Sequence, residues 1–386
     1  MKNTRGVGVA FMAATMRKAW AFPLALFVTA AAAASAQPQW KGAVVKEGDV
    51  TIVKNPKTPL YKTPVLELKG ELSIGGPEAQ GDAAFEQVRQ AVVDDAGTIY
   101  VLDQQAMNVK AFDAEGRYLR TIGREGQGPG ELEYPTTLSL IRPSGELAVH
   151  MQSRGVAFFK TDGTFLRQLS LKGLIAGRGR LDSRGQIYLL EIASGENETH
   201  YVTRKLAPDG SALATISETP APEGRGNRIR FFLPVAYFAI DRDDRFVYGY
   251  PATYEIQFFG PTEAKVLRKI RRDYDPVAVT AEEKAGLEKE MSPEMKAAIE
   301  IEYPGDHPAY ARFFLSDLGH LFVQTYEKAE GGRFIHDIFD AEGRFIGRLP
   351  LKPSGLEILK GKYYALEEDE EGYQSIKRYA VNWLVK

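Results

Sequence analysis

The chain has no cysteine among its 386 residues, so disulfides and thiolate chemistry are excluded and stability has to come from burial. Histidine is scarce: His150, His200, His307, His320 and His336, no two of them three or four apart. That excludes a local metal motif of the helical His-x-x-x-His kind. No Gly-x-Ser-x-Gly elbow occurs, which removes the nucleophile signature of the α/β hydrolases. No acid precedes Glu47, whereas Lys2, Arg5, Arg17 and Lys18 are basic. The apolar run from Ala19 to Ala34 falls short of the roughly 20 residues that span a bilayer.

That leading stretch reads as a secretory signal peptide over residues 1–36, with Ala34-Ser35-Ala36 as the small-residue cleavage site before Gln37. The alternative is an uncleaved anchor. The expected location is periplasmic or extracellular, with no stable membrane span after cleavage and, since no Cys follows the site, no lipid at the new terminus. Removing the leader takes away four basic residues and no acid, turning a net charge of −2 into about −6, so nucleic acid is not an expected partner. Asn197-Glu198-Thr199 is a glycosylation sequon and reads as a chance match.

What is present is a repeated strand pattern, clearest from Val92 to Tyr134. Val92-Val93 ends one strand, and Asp94-Asp95-Ala96-Gly97 is a turn, because Asp bonds nearby backbone and Gly tolerates positive φ. Thr98–Leu102 is β-branched and aromatic, Val109–Phe112 and Tyr118–Ile122 alternate, and Asp113-Ala114-Glu115-Gly116 turns the chain between them. Four antiparallel strands with tight turns make one propeller blade. The third-to-fourth turn recurs at Gly163, Gly210 and Gly343; the first three of these turn glycines lie 47 residues apart, a blade-sized period. Five blades are complete and a sixth lacks its fourth strand. Val65–Gly75 alternates and ends like Thr121-Ile122-Gly123, so it is expected to close the ring as the outer strand of the last blade, which removes an exposed edge.

The expected fold is therefore all-β: a six-bladed β-propeller of four-stranded antiparallel blades, closed by an N-terminal strand, with a small helical insertion. The domain reading is a leader at 1–36, an extension at 37–64 and a propeller at 65–386, with the insertion at 271–312. Within the insertion Thr280 and Glu283 fit a capping box and Ser292-Pro293 opens a second helix. Leu287, Met291, Met295, Ala298 and Ile299 give it an apolar side. It reads equally as a lid and as a helical pair packed flat on the ring.

The run Ile122-Gly123…Gly126…Gly128-Pro129-Gly130-Glu131-Leu132…Pro135, followed by turn, strand, Phe112-Asp113-type ending and Gly, resembles the NHL repeat. More narrowly it is similar to the exported bacterial six-bladed β-propeller family of the NHL-repeat and TolB-like superfamily, over Val65 to Val385. Blade four departs most, because Asp243-Asp244 lacks the turn glycine. The resemblance implies a fold but no single activity, since such relatives include binding modules, calcium-dependent lactonases and copper or zinc lyases. Gly123–Leu132 also looks superficially like a dinucleotide loop, but Pro129 and Pro135 block the helix that motif needs.

In such a blade the tight Asp/Gly turns share one face of the ring. The long segments, Gly123–Pro135, Ser217–Pro234, Arg271–Arg312 and Ala193–Thr199, share the other, and long loops on a rigid scaffold are where binding usually lies. Near the expected inner-strand starts on that face lie Glu86, Tyr134, Arg178, Arg180, Arg230, Tyr237, Tyr310 and Arg312. Arg178, Arg180, Arg230, Tyr237, Tyr310 and Arg312 are the candidate ligand-binding residues, the arginines as donors to an anion. The alternative is that the arginines pair with neighbouring acids as a solvated rim. The functional reading is an exported binding or scaffold module, expected to be a monomer, for a protein, peptide, glycan or small anionic ligand. The alternative is a metal-dependent, lactonase-like hydrolase or lyase with its site at the central channel. No catalytic residue, metal ligand or cofactor is assigned. Calcium enters only through the resemblance, and among the inner-strand starts Glu86 alone supplies a carboxylate.

Overall fold

In the computed structural model, residues 38–385 are described apart from 143, 153, 172–175, 195–198, 221–227, 242, 263 and 353–354. The leader expected at 1–36 and the sequon asparagine lie outside the described residues.

Strand order follows from which residues are buried on both sides. In blade 1 the second strand, Ile99–Asp103, is buried throughout, while the outer strand, Tyr118–Ile122, alternates. A strand sandwiched between two neighbouring blades sees apolar surface on both faces and so reads as a continuous apolar run; an outer strand meets solvent on one side. Blades 1 to 3 begin with inner strands Val88–Val93, Pro135–Ile141 and Ala176–Leu181. Blades 4 to 6 begin with Tyr237–Ile240, Arg312–Leu315 and Gly355–Leu359. Each blade is an antiparallel meander, and the six together form the propeller.

The ring closes as expected. Leu66–Gly75 pairs antiparallel with Gln374–Trp383 as the outer strand of blade 6. Its register places Ile74 opposite Ile376 and Leu66 opposite Trp383, so two distant chain segments share one apolar face.

The extension is more ordered than its composition suggests. Ala43–Glu47 and Val50–Asn55 form a hairpin, and the second strand adds in parallel to Val266–Arg272, the outer strand of blade 4. Asn55 fixes the joint. Its amide donates to the Arg271 and Gly343 carbonyls at 3.2 and 2.9 Å, while its oxygen accepts from Phe345 N–H at 2.7 Å and Trp40 Nε1 at 3.0 Å. One buried amide, with all its bonds made, thus holds blades 4 and 5 and the hairpin together. Leu60 and Tyr61 N–H then donate to Phe345 and Ile346 carbonyls before the chain enters blade 6.

Blades 4 and 5 also share a buried charge cluster. Asp337, fully buried, accepts from Tyr254 Oη at 2.7 Å and Arg348 Nε at 2.9 Å and forms an ion pair with Arg272 Nη1 at 3.1 Å. Burial pushes the Asp337 carboxyl up, and the two guanidiniums oppose that. The Arg272 plane also lies 4.5 Å from the Phe345 ring centre, so its desolvated charge is held by a carboxylate and an aromatic face.

Candidate functional site

Six inner strands leave a cavity of about 200 Å3 on the ring axis. Its two ends differ in chemistry, and the difference follows from the turns.

At the compact face the first-to-second-strand turns converge, and their polar groups bond across blades. Glu357 of blade 6 accepts from Val93 N–H of blade 1 at 3.1 Å, and Arg142 of blade 2 donates to the Val93 carbonyl at 2.5 Å. Asp317 of blade 5 accepts from Lys360 N–H at 2.6 Å, and its own N–H donates to the Ile358 carbonyl. Blade 4, which lacks a turn glycine, places Asp244 at φ +58°. That left-handed conformation is strained for a residue with a Cβ, though Asp tolerates it better than most. The carboxylate in return accepts from Ser183 N–H of blade 3 at 2.8 Å and from the Ser183 hydroxyl.

At the opposite face lie the long connections. The glycine-rich loop after blade 1 folds on itself. Glu131 accepts from Arg124 Nε and Nη2 at 3.0 and 2.9 Å and from Gly128 N–H at 2.8 Å. A Cβ at Gly126 would stand 2.1 Å from that carboxylate. The loop cradles an anion, but the anion is its own Glu131, so it serves as a connection between blades.

The insertion carries helices α1 (Ala281–Lys289) and α2 (Pro293–Ala298), capped by Thr280 with Glu283 and by Ser292. Neither helix buries a residue, so the apolar side is not packed flat on the ring: Leu287, Met291 and Ile299 are half-buried, and Met295 and Ala298 exposed. Its anchors are elsewhere. Glu300–Glu302 pairs in parallel with Arg228–Arg230. His307, buried, lies flat against Tyr326 at 4.3 Å and 3.1 Å from the Glu283 carboxylate. Burial would raise Glu283, but the Thr280 N–H, Lys328 and His307 together hold it down to about 2.

The candidate residues separate accordingly. Arg230 lies seven positions before the inner strand, in the connecting ladder, and pairs with Glu302 at 2.7 Å. Arg228 pairs with Glu300 and Glu302. Tyr310 is fully buried between blades 4 and 5, its hydroxyl donating to the Glu255 carbonyl at 3.1 Å, so it is core. Arg178 lies in the inner strand of blade 3; its side chain is outside the described residues. Arg180 and Tyr237 line the axial cavity, and Tyr237 packs edge-on against Phe313 at 5.0 Å. Glu86 is exposed. Tyr134 is 59% exposed at φ +47°. Arg312 opens the inner strand of blade 5, half-buried. Among the described residues its guanidinium has no hydrogen bond or ion pair, and its charge is felt by Tyr326, His336 and Tyr363.

His150 and His336 are buried, at 1% exposure each. Sequence position suggests that His150 stands where blade 1 has Asp103. The register corrects this: Asp103 faces Val88 and Met151 faces Pro135, so Met151 holds that place and His150 matches Leu102. Burial, with Arg180 nearby, holds His150 down to about 3. It abuts Gly179, where a Cβ would come within 2.4 Å of the ring. Asp103 acts as a latch, accepting from Glu86 and Gln87 N–H at 2.9 Å each. Among the described residues no three His, Cys, Asp or Glu side chains converge to hold a metal ion.

Sequence reasoning missed Gln324, His336 and Tyr363 beside Arg312. No local signal marks them; only strand register brings them together.

Residues 78–176 match the profile of the family described as DUF5128: 6-bladed beta-propeller. Among solved structures, the chain is similar to a Bacteroides fragilis protein named as a supposed exported protein, with TM-score 0.55 and 13% identity over 86% of this chain and 99% of that one. A gluconolactonase of Xanthomonas campestris is more distant, with TM-score 0.46 and 12% identity over 77% and 88% of the two chains. Protein brain tumor of Drosophila melanogaster is 26% identical over 113 residues, 28% of this chain and 11% of that protein, so the match spans only about a tenth of the relative's length. No helix among the described residues is long and apolar enough to cross a membrane. The family match and the strand topology agree on one conclusion: this chain is a six-bladed β-propeller.

Proposed function

We propose that this chain is an exported binding propeller that takes an anionic ligand at the axial mouth of its elaborated face. The supporting observation is Arg312. Other arginines of blades 4 and 5 and their connections are engaged: Arg228 and Arg230 with Glu300 and Glu302, Arg271 with Glu255, Arg272 and Arg348 with Asp337. Arg312 is half-buried with no such partner among the described residues. A partly desolvated guanidinium without a counter-charge is costly unless an anion completes it. Tyr237 opens the inner strand of blade 4 and lines the axial cavity, so it would supply a ring wall; Arg180 lines the same cavity from the far end of its strand, beside Leu181 and Asp182, and would act only as a more distant charge. The basic, acid-free leader and the similar protein named for supposed export support the location.

The test is an anion screen on the mature chain by calorimetry, repeated on Arg312→Gln and Arg180→Gln. A buried charge-assisted bond is worth about 1.5–3 kcal/mol, so the Arg312 variant should lose at least about tenfold in affinity. Anion binding undiminished in both variants places the site elsewhere. N-terminal sequencing of exported protein should begin at Gln37; a mature chain retaining Trp20 contradicts the export reading.

A further inference from the structure

Arg312, Gln324 and His336 are register partners on three successive strands of blade 5. Directly opposed residues of an antiparallel sheet project to the same face, with strands about 4.8 Å apart, so the three form one row. The row faces blade 6. Two residues along from Arg312, on the same face, Phe314 stacks on Tyr363 of blade 6 at 5.9 Å and packs edge-on to His336 at 6.2 Å. Tyr363 belongs to the same apolar cluster as Phe314 and Phe322.

Three groups in the row and on the blade 6 face against it lack partners among the described residues. The Gln324 side-chain oxygen and the Tyr363 hydroxyl are buried without a hydrogen bond, in residues 4% and 2% exposed. The Arg312 guanidinium has neither hydrogen bond nor ion pair. Buried polar groups are otherwise nearly always bonded, so a donor, an acceptor and a charge left open together require a common explanation. His336 adds a second acceptor. Its Nδ1 lies 3.0 Å from the Phe334 carbonyl and must donate there, which leaves Nε2 with a lone pair while the ring is neutral.

We propose that Arg312, Gln324, His336 and Tyr363 form a subsite for a 2-hydroxycarboxylate group, with the carboxylate on Arg312 and Tyr363 and the hydroxyl donating to an acceptor of the Gln324–His336 pair. This rests on the anion-binding reading above and narrows it to a chemical class. One guanidinium plus neutral donors balances at most a single negative charge, and with Glu367 acting on Tyr363 a phosphate dianion would be undercompensated. Acetate would also leave the Gln324 oxygen and His336 Nε2 facing a group with no hydrogen to give, and an unmet buried acceptor is strongly selective.

The probes are lactate, acetate and inorganic phosphate, titrated into the mature chain at pH 7.5 and followed by NMR chemical shifts. Lactate is expected to bind at least tenfold more tightly than acetate or phosphate. Tyr363→Phe should weaken lactate about tenfold while leaving the melting temperature unchanged or higher, because the hydroxyl it removes has no partner. Gln324→Met, close in volume, should bring lactate down to the level of acetate. Equal binding of lactate and acetate, or lactate binding indifferent to both variants, overturns the subsite and leaves a row satisfied by water. Phosphate that binds through Arg312 but ignores Tyr363→Phe and Gln324→Met overturns the subsite and keeps the broader reading. Binding of every anion indifferent to Arg312→Gln, or no binding at all, overturns both.

Discussion

The two faces of the ring use the same residue types to opposite ends. On the compact face, Arg142, Ser183, Asp244, Asp317 and Glu357 sit around the axis, and each bonds to a neighbouring blade. On the elaborated face, Arg312 stands at the opening end of an inner strand and bonds to nothing among the described residues. Short turns explain the difference. A turn of two to five residues brings its Asp within reach of the next blade's backbone, so polar groups find partners locally. Long connections carry the chain away from the axis and satisfy their charges among themselves, as Arg228 and Arg230 do with Glu300 and Glu302. A compact face therefore stitches the ring, and an elaborated face leaves groups at the axis open to a ligand.

The largest expected effect comes from breaking what holds both faces. A chain beginning after Gly75 lacks the outer strand of blade 6 and the hairpin on blade 4; it is expected to aggregate or fail to fold, because closure removes the exposed edge. A soluble truncation that melts like the mature chain would show that the strand does not close the ring. Next, Asp337→Ala strips the carboxylate from Arg272 and Arg348 and leaves a buried charge unpaired. The expected loss is about 3–5 kcal/mol by urea titration, with no change in ligand preference.

Smaller effects sharpen the contrast. Asp244→Gly on the compact face relieves the positive φ but removes the link to Ser183. A net loss of about 1 kcal/mol is expected if the link dominates, and a gain would show that relief of backbone strain dominates instead. Acid should act through the buried histidines. His150 and His336 are held down to about 3 and about 4 by burial, against an unfolded value near 6.5. Between those limits the unfolded chain takes up protons that the folded chain refuses. Their contribution is thus fully present above about pH 6.5 and is lost as pH falls toward 3–4, at up to about 1.4 kcal/mol per pH unit for each group. His150→Leu should flatten that limb in a stability-versus-pH series. An unchanged slope would mean that His150 does not carry it.

How much of this was legible in the sequence depends on range. Asp94 and Asp113 each bond backbone N–H groups two and four residues on, so their turns are local chemistry and could be read directly. Val65–Gly75 was legible because its alternation and terminal Ile-Gly copy those of blade 1. The hairpin at Ala43–Asn55 was not, because its partner strand lies more than 200 residues away and pairs in parallel. Arg230 was placed near the channel because its pairing with Glu302 depends on a ladder between two connections 72 positions apart. His150 falls one position short of the place of Asp103, because the equivalent residue lies six past the turn glycine, Asp103 after Gly97 and Met151 after Gly145, and a one-residue slip moves a side chain to the other face. The row at Arg312 shows the same limit: Gln324, His336 and Tyr363 become neighbours only through register and blade packing.

The most direct measurement compares the two arginines at the opposite mouths. Arg142→Gln and Arg312→Gln are to be melted side by side in ligand-free mature protein. Arg142 holds the Val93 carbonyl at 2.5 Å, and its loss should cost about 1–3 kcal/mol. Loss of Arg312 should cost less than about 0.5 kcal/mol, as for a surface change that breaks no bond. If Arg312→Gln destabilises the ring as much as Arg142→Gln, that arginine is structural, and the division between a stitching face and a binding face does not hold.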